Sequence, residues 1–181
     1  DAITPIVNWK DATTDFVTEP MRGRDDYTFS RLNRKRLCDD LYMPDVMSER
    51  VGDVIIAIDT SGSIADADLA EFLSHMSALC DQVEPDSVTV LWWDSEVRGN
   101  QKLVSAYGNL KEVLKPMGGG GTYVSCVSKY IIDNKISADC IVVLTDGYVE
   151  SQIKWETSIP TLWVSTRSNM AIPKGKFVKL I

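Results

Sequence analysis

Residues 51–63 read VGDVIIAIDTSGS. The first eight form an almost unbroken β-branched run, the mark of a strand covered on both faces, as in a parallel sheet flanked by helices. The polar loop of residues 59–63 follows. Beyond it Leu69, Phe72, Leu73, Met76, Leu79 and Val83 recur at the spacing of an amphipathic helix. Asp66 and Asp68 fall in its first turn, where negative charge suits the helix dipole, and Glu84-Pro85-Asp86 ends it.

The same alternation continues outward. Residues 88–93 (VTVLWW) predict a second strand, with Trp92 and Trp93 packing in the core and on the sheet face. Residues 96–106 suit an edge strand centred on Lys102, Leu103 and Val104, and residues 109–115 a short helix. After the glycine run of residues 118–121, Val124, Val127 and Ile131 share one face of another helix. Residues 140–144 (CIVVL) form a buried strand ending in Thr145-Asp146-Gly147. Residues 161–164 (TLWV) form a further strand, and residues 176–180 a last one at the edge. Alternating strands and helices predict an α/β, doubly wound, Rossmann-like sheet, mostly parallel and flanked by helices. Right-handed crossovers bring the strand-to-helix loops to one sheet edge. Ligands of such folds bind there, at the switch point of the strand order.

Upstream, residues 1–50 read as an N-terminal extension or connector to a main domain of residues 51–181. They are polar and broken by Pro5, Pro20 and Pro44. They also hold too many large apolar groups for a free linker, among them Trp9, Phe16, Tyr27, Phe29 and Leu41. The extension is expected to pack on the domain with short helical turns at most. Its basic cluster, Arg22, Arg24, Arg31, Arg34, Lys35 and Arg36, reads either as a patch for phosphate or acidic partners or as a solvated segment balancing an acidic domain; solvated faces are the commoner case. The first residue is Asp1 rather than Met, so a piece of a longer protein is expected.

Composition narrows the function. The length of 181 residues suits one domain with an extension. A net charge of −7 argues against a nucleic-acid partner, and no apolar run approaches the ~20 residues that span a bilayer. Cys38, Cys80, Cys126 and Cys140 form no CxxC pair and read as buried free thiols, which points to a reducing, cytoplasmic setting. His75 is the only histidine, so no HExxH zinc site exists in this chain. It is read as a surface or boundary residue of its helix.

Three loops are expected on the carboxyl edge of the sheet. They bring Asp59, Ser61 and Ser63, then Thr122 after the glycines, then Asp146. All five side chains end in oxygen, a donor set that selects hard cations, Mg²⁺ foremost, with Mn²⁺ or Ca²⁺ as alternatives. Two carboxylates with neutral hydroxyls leave such a cation underneutralised and able to accept a carboxylate from outside. Gly62 permits the tight turn between the serines, and the glycine run lets Thr122 swing inward. Asp94, at the end of the second strand, is read first as the cap of the turn that follows, and second as a group near the metal or its waters. Tyr123 and Tyr148 flank the site as a rim for a partner. Two simpler readings remain: polar loops that cluster without a role, and a degenerate site that no longer holds metal.

The order DxSGS, glycine-rich loop with threonine, and strand ending in TDG resembles the metal-ion-dependent adhesion site of the von Willebrand factor A family. The resemblance implies direct metal contacts from Ser61 and Ser63, and direct or water-mediated ones from Thr122, Asp59 and Asp146. A narrower resemblance rests on DYTFSR at residues 26–31, Asn33-Arg34, residues 54–64, WWDSEV at residues 92–97, TDGY at residues 145–148 and PTLWV at residues 160–164. These are similar to a bacterial and phage subfamily in which such a domain follows a metallopeptidase-like domain. It implies that Trp9 and its neighbours end the upstream domain or connect to it.

The function expected is a metal-dependent protein-binding module gripping an Asp or Glu of a protein partner or of another domain of the same polypeptide. The chain is not expected to be an enzyme by itself, nor to bind a membrane. The alternative is a metal-dependent hydrolase or phosphoryl-transfer enzyme using Asp59 and Asp146. It lacks a lysine or histidine beside the motifs for acid–base work, and a second carboxylate two residues after Asp59. A third reading is a structural subunit that assembles through its basic extension.

Overall fold

The apolar run that begins the domain lies in the middle of a sheet, with a strand on either side of it. The computed structural model describes residues 8–19, 28–32, 44–45, 52–61, 65–104, 121–166 and 171–179. In chain order these form α1 (Trp9–Thr18), β1 (Thr28–Leu32), β2 (Pro44–Asp45), β3 (Asp53–Asp59), α2 (Asp66–Val83), β4 (Ser87–Trp93), β5 (Val97–Leu103), α3 (Ser125–Asp133), β6 (Cys140–Thr145), β7 (Thr161–Ser165) and β8 (Lys176–Lys179). β1 and β2 pair antiparallel by themselves, and the other strands form one sheet in the order β5-β4-β3-β6-β7-β8. Every neighbouring pair in that sheet is parallel except the β4–β5 hairpin. The chain builds outward from β3 through β4 to β5, then returns to place β6 on the other side of β3. The strand order therefore reverses between β3 and β6, and their carboxyl ends flank the crevice where ligands of open α/β sheets bind.

Strand periodicity of two sorts the core into layers. Val54, Ile56 and Ile58 of β3 join Val90, Val142 and Leu144 beneath Phe72 and Met76 of α2. Ile55 and Ala57 point the other way, with Leu91, Trp93, Val143 and Trp163, beneath Val127 and Ile131 of α3 and Val124 just before it. The α/β, doubly wound, Rossmann-like architecture expected from the alternation is the one observed. α2 ends where Glu84 enters the left-handed region at φ 47° and returns its N–H to the carbonyl of Cys80, and Pro85 bars further helix.

The extension departs from expectation. In place of short helical turns, residues 9–18 form a ten-residue helix. The Asn8 side chain accepts the N–H of Lys10 and so caps it. Trp9, Thr13, Phe16 and Val17 share its buried face, the i, i+4, i+7, i+8 stripe of an amphipathic helix. That face joins the α2 side of the core. Trp9 stacks on Phe72, with His75 edge-on at 5.0 Å. His75 is half-buried at this seam, where burial lowers its pKa. Lys10 pairs with Glu71, and Lys176 of β8 with Glu19.

Two further features concern connections. β5 covers residues 97–103, shorter than the span of 96–106, and Val104 lies outside it, 67% exposed. The link from β6 to β7 contains no helix. Val149, Ile153, Trp155 and Ile159 of that link cover the α3 face directly, with Trp155 against Trp163 at 4.7 Å. Cys80 and Cys140 are buried free thiols and Cys126 is a half-buried one; burial pushes each up to about 12. Among the described residues no helix is long and apolar enough to cross a membrane. Ser63, Gly62, the helix expected at 109–115, the glycines at 118–120, Cys38 and the basic cluster, save the backbone of Arg31, lie outside the described residues.

Candidate functional site

Parallel register delivers the polar loops to one place. β3 pairs with β4 as far as Asp59 opposite Trp93, and with β6 as far as Ile58 opposite Leu144. The residues that leave the three central strands are therefore Asp59, Asp94 and Thr145-Asp146, side by side on the carboxyl edge. The loop behind α2 is anchored there too, because Thr60 donates both its N–H and its hydroxyl to the carbonyl of Trp93, at 2.9 and 3.0 Å.

Asp59 is only 2% exposed. One carboxylate oxygen accepts the Ser61 N–H at 2.9 Å, and the other accepts the Thr145 hydroxyl at 3.0 Å. Burial nevertheless pushes its pKa up to about 6, with the neighbouring Asp146 adding repulsion, while the bonds from Ser61 and Thr145 pull the other way. Asp146 is buried as well. Its Oδ1 accepts the Tyr148 N–H at 2.8 Å. Its Oδ2 is buried and, among the described residues, has no hydrogen-bond partner. Buried carboxylate oxygens are rarely left so. Gly147 takes φ 87° between them, a conformation that favours glycine.

Asp94 occupies the β4–β5 turn. Its Oδ1 accepts the Glu96 N–H at 3.0 Å and the Ser95 hydroxyl at 3.1 Å, and both oxygens face the Arg98 guanidinium at 3.0 and 3.1 Å. Burial acts to raise its pKa, but these donors together outweigh it and hold the group down at about 2. The carboxylate thus caps the turn and is satisfied within it. The Asp94 carbonyl accepts the Tyr123 N–H at 2.8 Å, which ties the threonine loop to the same edge. Thr122, the residue before, is half-buried. Tyr123 and Tyr148 are 45% and 64% exposed.

Of the five oxygen-bearing residues expected to meet, Asp59, Ser61 and Asp146 come together on one edge, and Thr122 enters beside Asp94. Ser63 lies outside the described residues. Three participants were not anticipated. Thr145 holds Asp59, and its place as the polar end of an apolar strand was a usable signal. Arg98 holds Asp94 from four residues away. Glu150 accepts the N–H groups of Val124 and Ser125 at 2.9 and 2.8 Å and the Ser125 hydroxyl, and no motif announces it.

The donor set fits a hard cation in character: two buried carboxylates, one with an unpartnered oxygen, beside hydroxyls, with no thiolate or imidazole. Among the described residues no group of three or more His, Cys, Asp or Glu side chains is assembled, so a cation here would rely on hydroxyl, water or outside ligands. A family model described as VWA-like domain (DUF2201) matches residues 54–181. No curated protein matches the chain.

Proposed function

The chain belongs to the VWA-like domain family, and from that premise we propose that it is a divalent-metal-dependent protein-binding module. Asp59, Ser61, Ser63, Thr122 and Asp146 would hold the ion, Mg²⁺ foremost. An Asp or Glu from a protein partner, or from another domain of the same polypeptide, would complete the coordination, with Tyr123 and Tyr148 as the rim. The observation that carries this reading is the unpartnered Oδ2 of Asp146 beside a second buried carboxylate. The two carboxylates repel each other, and burial resists the ionisation of Asp59. A divalent cation removes both penalties at once and supplies an electrophilic centre for an incoming carboxylate. The rest is done by the chain: Thr145 and the Ser61 N–H orient Asp59, and the Tyr148 N–H orients Asp146. A cytoplasmic setting and a parent polypeptide carrying a metallopeptidase-like domain belong to the same proposal.

The test is thermal melting with Mg²⁺, Mn²⁺ and Ca²⁺ against a chelator control, for wild type, Asp59→Ala and Asp146→Ala. A ligand binding only the folded state stabilises it by about 2.7 kcal/mol at roughly a hundredfold excess over its dissociation constant. Metal should raise the wild-type melting temperature and leave both variants unmoved. Equal responses in all three would place any metal elsewhere.

The second reading, a metal-dependent hydrolase, draws on one observation: a pKa near 6 at Asp59 is in the range useful to a general base. A screen of phosphate esters and peptides separates the two. Turnover abolished by Asp59→Ala would favour the enzyme.

A further inference from the structure

Glu150 lies four residues beyond Asp146, yet its bonds are all to the segment just after Thr122. Its Oε2 accepts the Val124 N–H at 2.9 Å, and its Oε1 accepts the Ser125 N–H at 2.8 Å together with the Ser125 hydroxyl. The same hydroxyl accepts the Lys154 N–H at 2.8 Å, and the Ser128 hydroxyl donates to the Lys154 carbonyl at 2.9 Å. Residues 150–154 are thereby laced to the first turn of α3. Next to this lacing the Tyr148 N–H holds Asp146, and the Tyr123 N–H holds the carbonyl of Asp94.

The chemistry suits a brace. The amides at the start of a helix have no intrahelical acceptors and carry the positive end of the dipole. A carboxylate satisfies them better than any neutral cap, through charge-assisted bonds. Usually the capping residue is local. Here Val124, at the N-cap position, makes no side-chain cap bond, and the acceptor comes instead from a loop 25 and 26 residues further along the chain. Local capping would fix α3 alone. Capping from residue 150 fixes the distance between the threonine loop and the loop of Asp146.

We propose that Glu150 is a positioning residue for the metal site: its carboxylate braces the Thr122 loop against the Asp146 loop, so that donors from two separate loops converge on one ion. This rests on the metal-binding reading above. Glu150 is not a ligand in this scheme, since its two oxygens are engaged by α3. Groups that orient metal ligands from behind are typically worth about 10–100-fold in affinity.

The experiment is calorimetric titration of the full chain with Mn²⁺, for wild type, Glu150→Gln and Glu150→Ala, alongside chemical denaturation in chelator. Gln keeps one acceptor oxygen for Ser125 but turns an amide NH₂ toward the Val124 N–H. The dissociation constant should rise about tenfold or more in Glu150→Ala, with Glu150→Gln between it and wild type. A purely structural cap would lower stability in chelator and leave the dissociation constant where it was. That result in either folded variant overturns the brace, and Glu150→Gln, which keeps part of the cap, answers the question should Glu150→Ala not fold. A wild-type chain that takes up no Mn²⁺ refutes the metal reading and the brace with it. Wild-type binding with unaffected variants refutes the brace alone.

Discussion

The pH dependence of stability without metal should carry the signature of Asp59. Its pKa stands at about 6 in the folded chain against 3.8 for an ordinary aspartate, chiefly because it is buried. A group whose folded pKa is raised binds more protons folded than unfolded between those two values. Its contribution to stability is therefore fully present below pH 3.8 and is lost as pH rises through 6. A tenfold change in proton affinity corresponds to about 1.4 kcal/mol, so the whole effect is on the order of 3 kcal/mol, of which about half is recovered on going from about pH 7.5 to about pH 5. The assay is urea denaturation in chelator across that range, for wild type and Asp59→Asn. The amide does not titrate, and whatever constant offset it brings from altered hydrogen bonding is the same at every pH. His75 and other groups titrate in both proteins and cancel in the comparison. Wild type should gain about 1.4 kcal/mol relative to the variant on acidification. On the proposed metal site, saturating Mg²⁺ should reverse the trend, because the cation would compete with the proton for the same carboxylate. Parallel profiles for the two proteins in chelator would refute the placement of an ionisation-resistant carboxylate at residue 59.

Two further outcomes follow from the packing. Trp9→Ala removes a 3%-exposed ring from between α1 and Phe72 and should cost about 3–5 kcal/mol in denaturant unfolding, whereas a loosely attached extension would lose almost nothing. Gly175→Ala sets a methyl group 2.2 Å from the Thr161 carbonyl oxygen at a φ of +113°, so its melting temperature should fall well below that of wild type, and an unchanged melt would mean that the turn into β8 is not held as described.

Much of the architecture was legible because it depends on periodicity. The apolar stretches at 54–58, 88–93 and 140–144 have no polar side, so they had to be covered on both faces, and that requirement alone forces strands into the centre of an α/β sheet. Asp59 and Asp146 stood out because Asp59 follows such a run directly and Asp146 one residue later, after Thr145, and a strand's end is where its loop meets ligands. α1 was harder to see. Its stripe of Trp9, Thr13, Phe16 and Val17 is short, includes a threonine, and sits in a polar stretch, so local pattern underrates a helix that exists because α2 and β8 offer it an apolar seat. The link between β6 and β7, for which the sequence pattern named no element, contains no helix. There Val149, Ile153, Trp155 and Ile159 cover the α3 face from an irregular link, with Trp155 against Trp163.

By itself the sequence determined the class of fold, the central strands and the oxygen-only character of the candidate site, since these follow from which residues lie next to one another along the chain. Only the tertiary structure decided the charge states and the partners. Asp59 resists ionisation chiefly because the fold buries it, with repulsion from Asp146, 87 positions away along the chain, added in the same edge. Asp94 stays ionised because the Glu96 N–H, the Arg98 guanidinium and the Ser95 hydroxyl all donate to it within the turn. Glu150 reaches Val124 and Ser125 because two loops meet above the sheet. Burial and Coulomb interaction depend on distance through space, and for Asp59 and Glu150 that distance is set by how the strands and loops are ordered in the fold rather than by spacing along the chain.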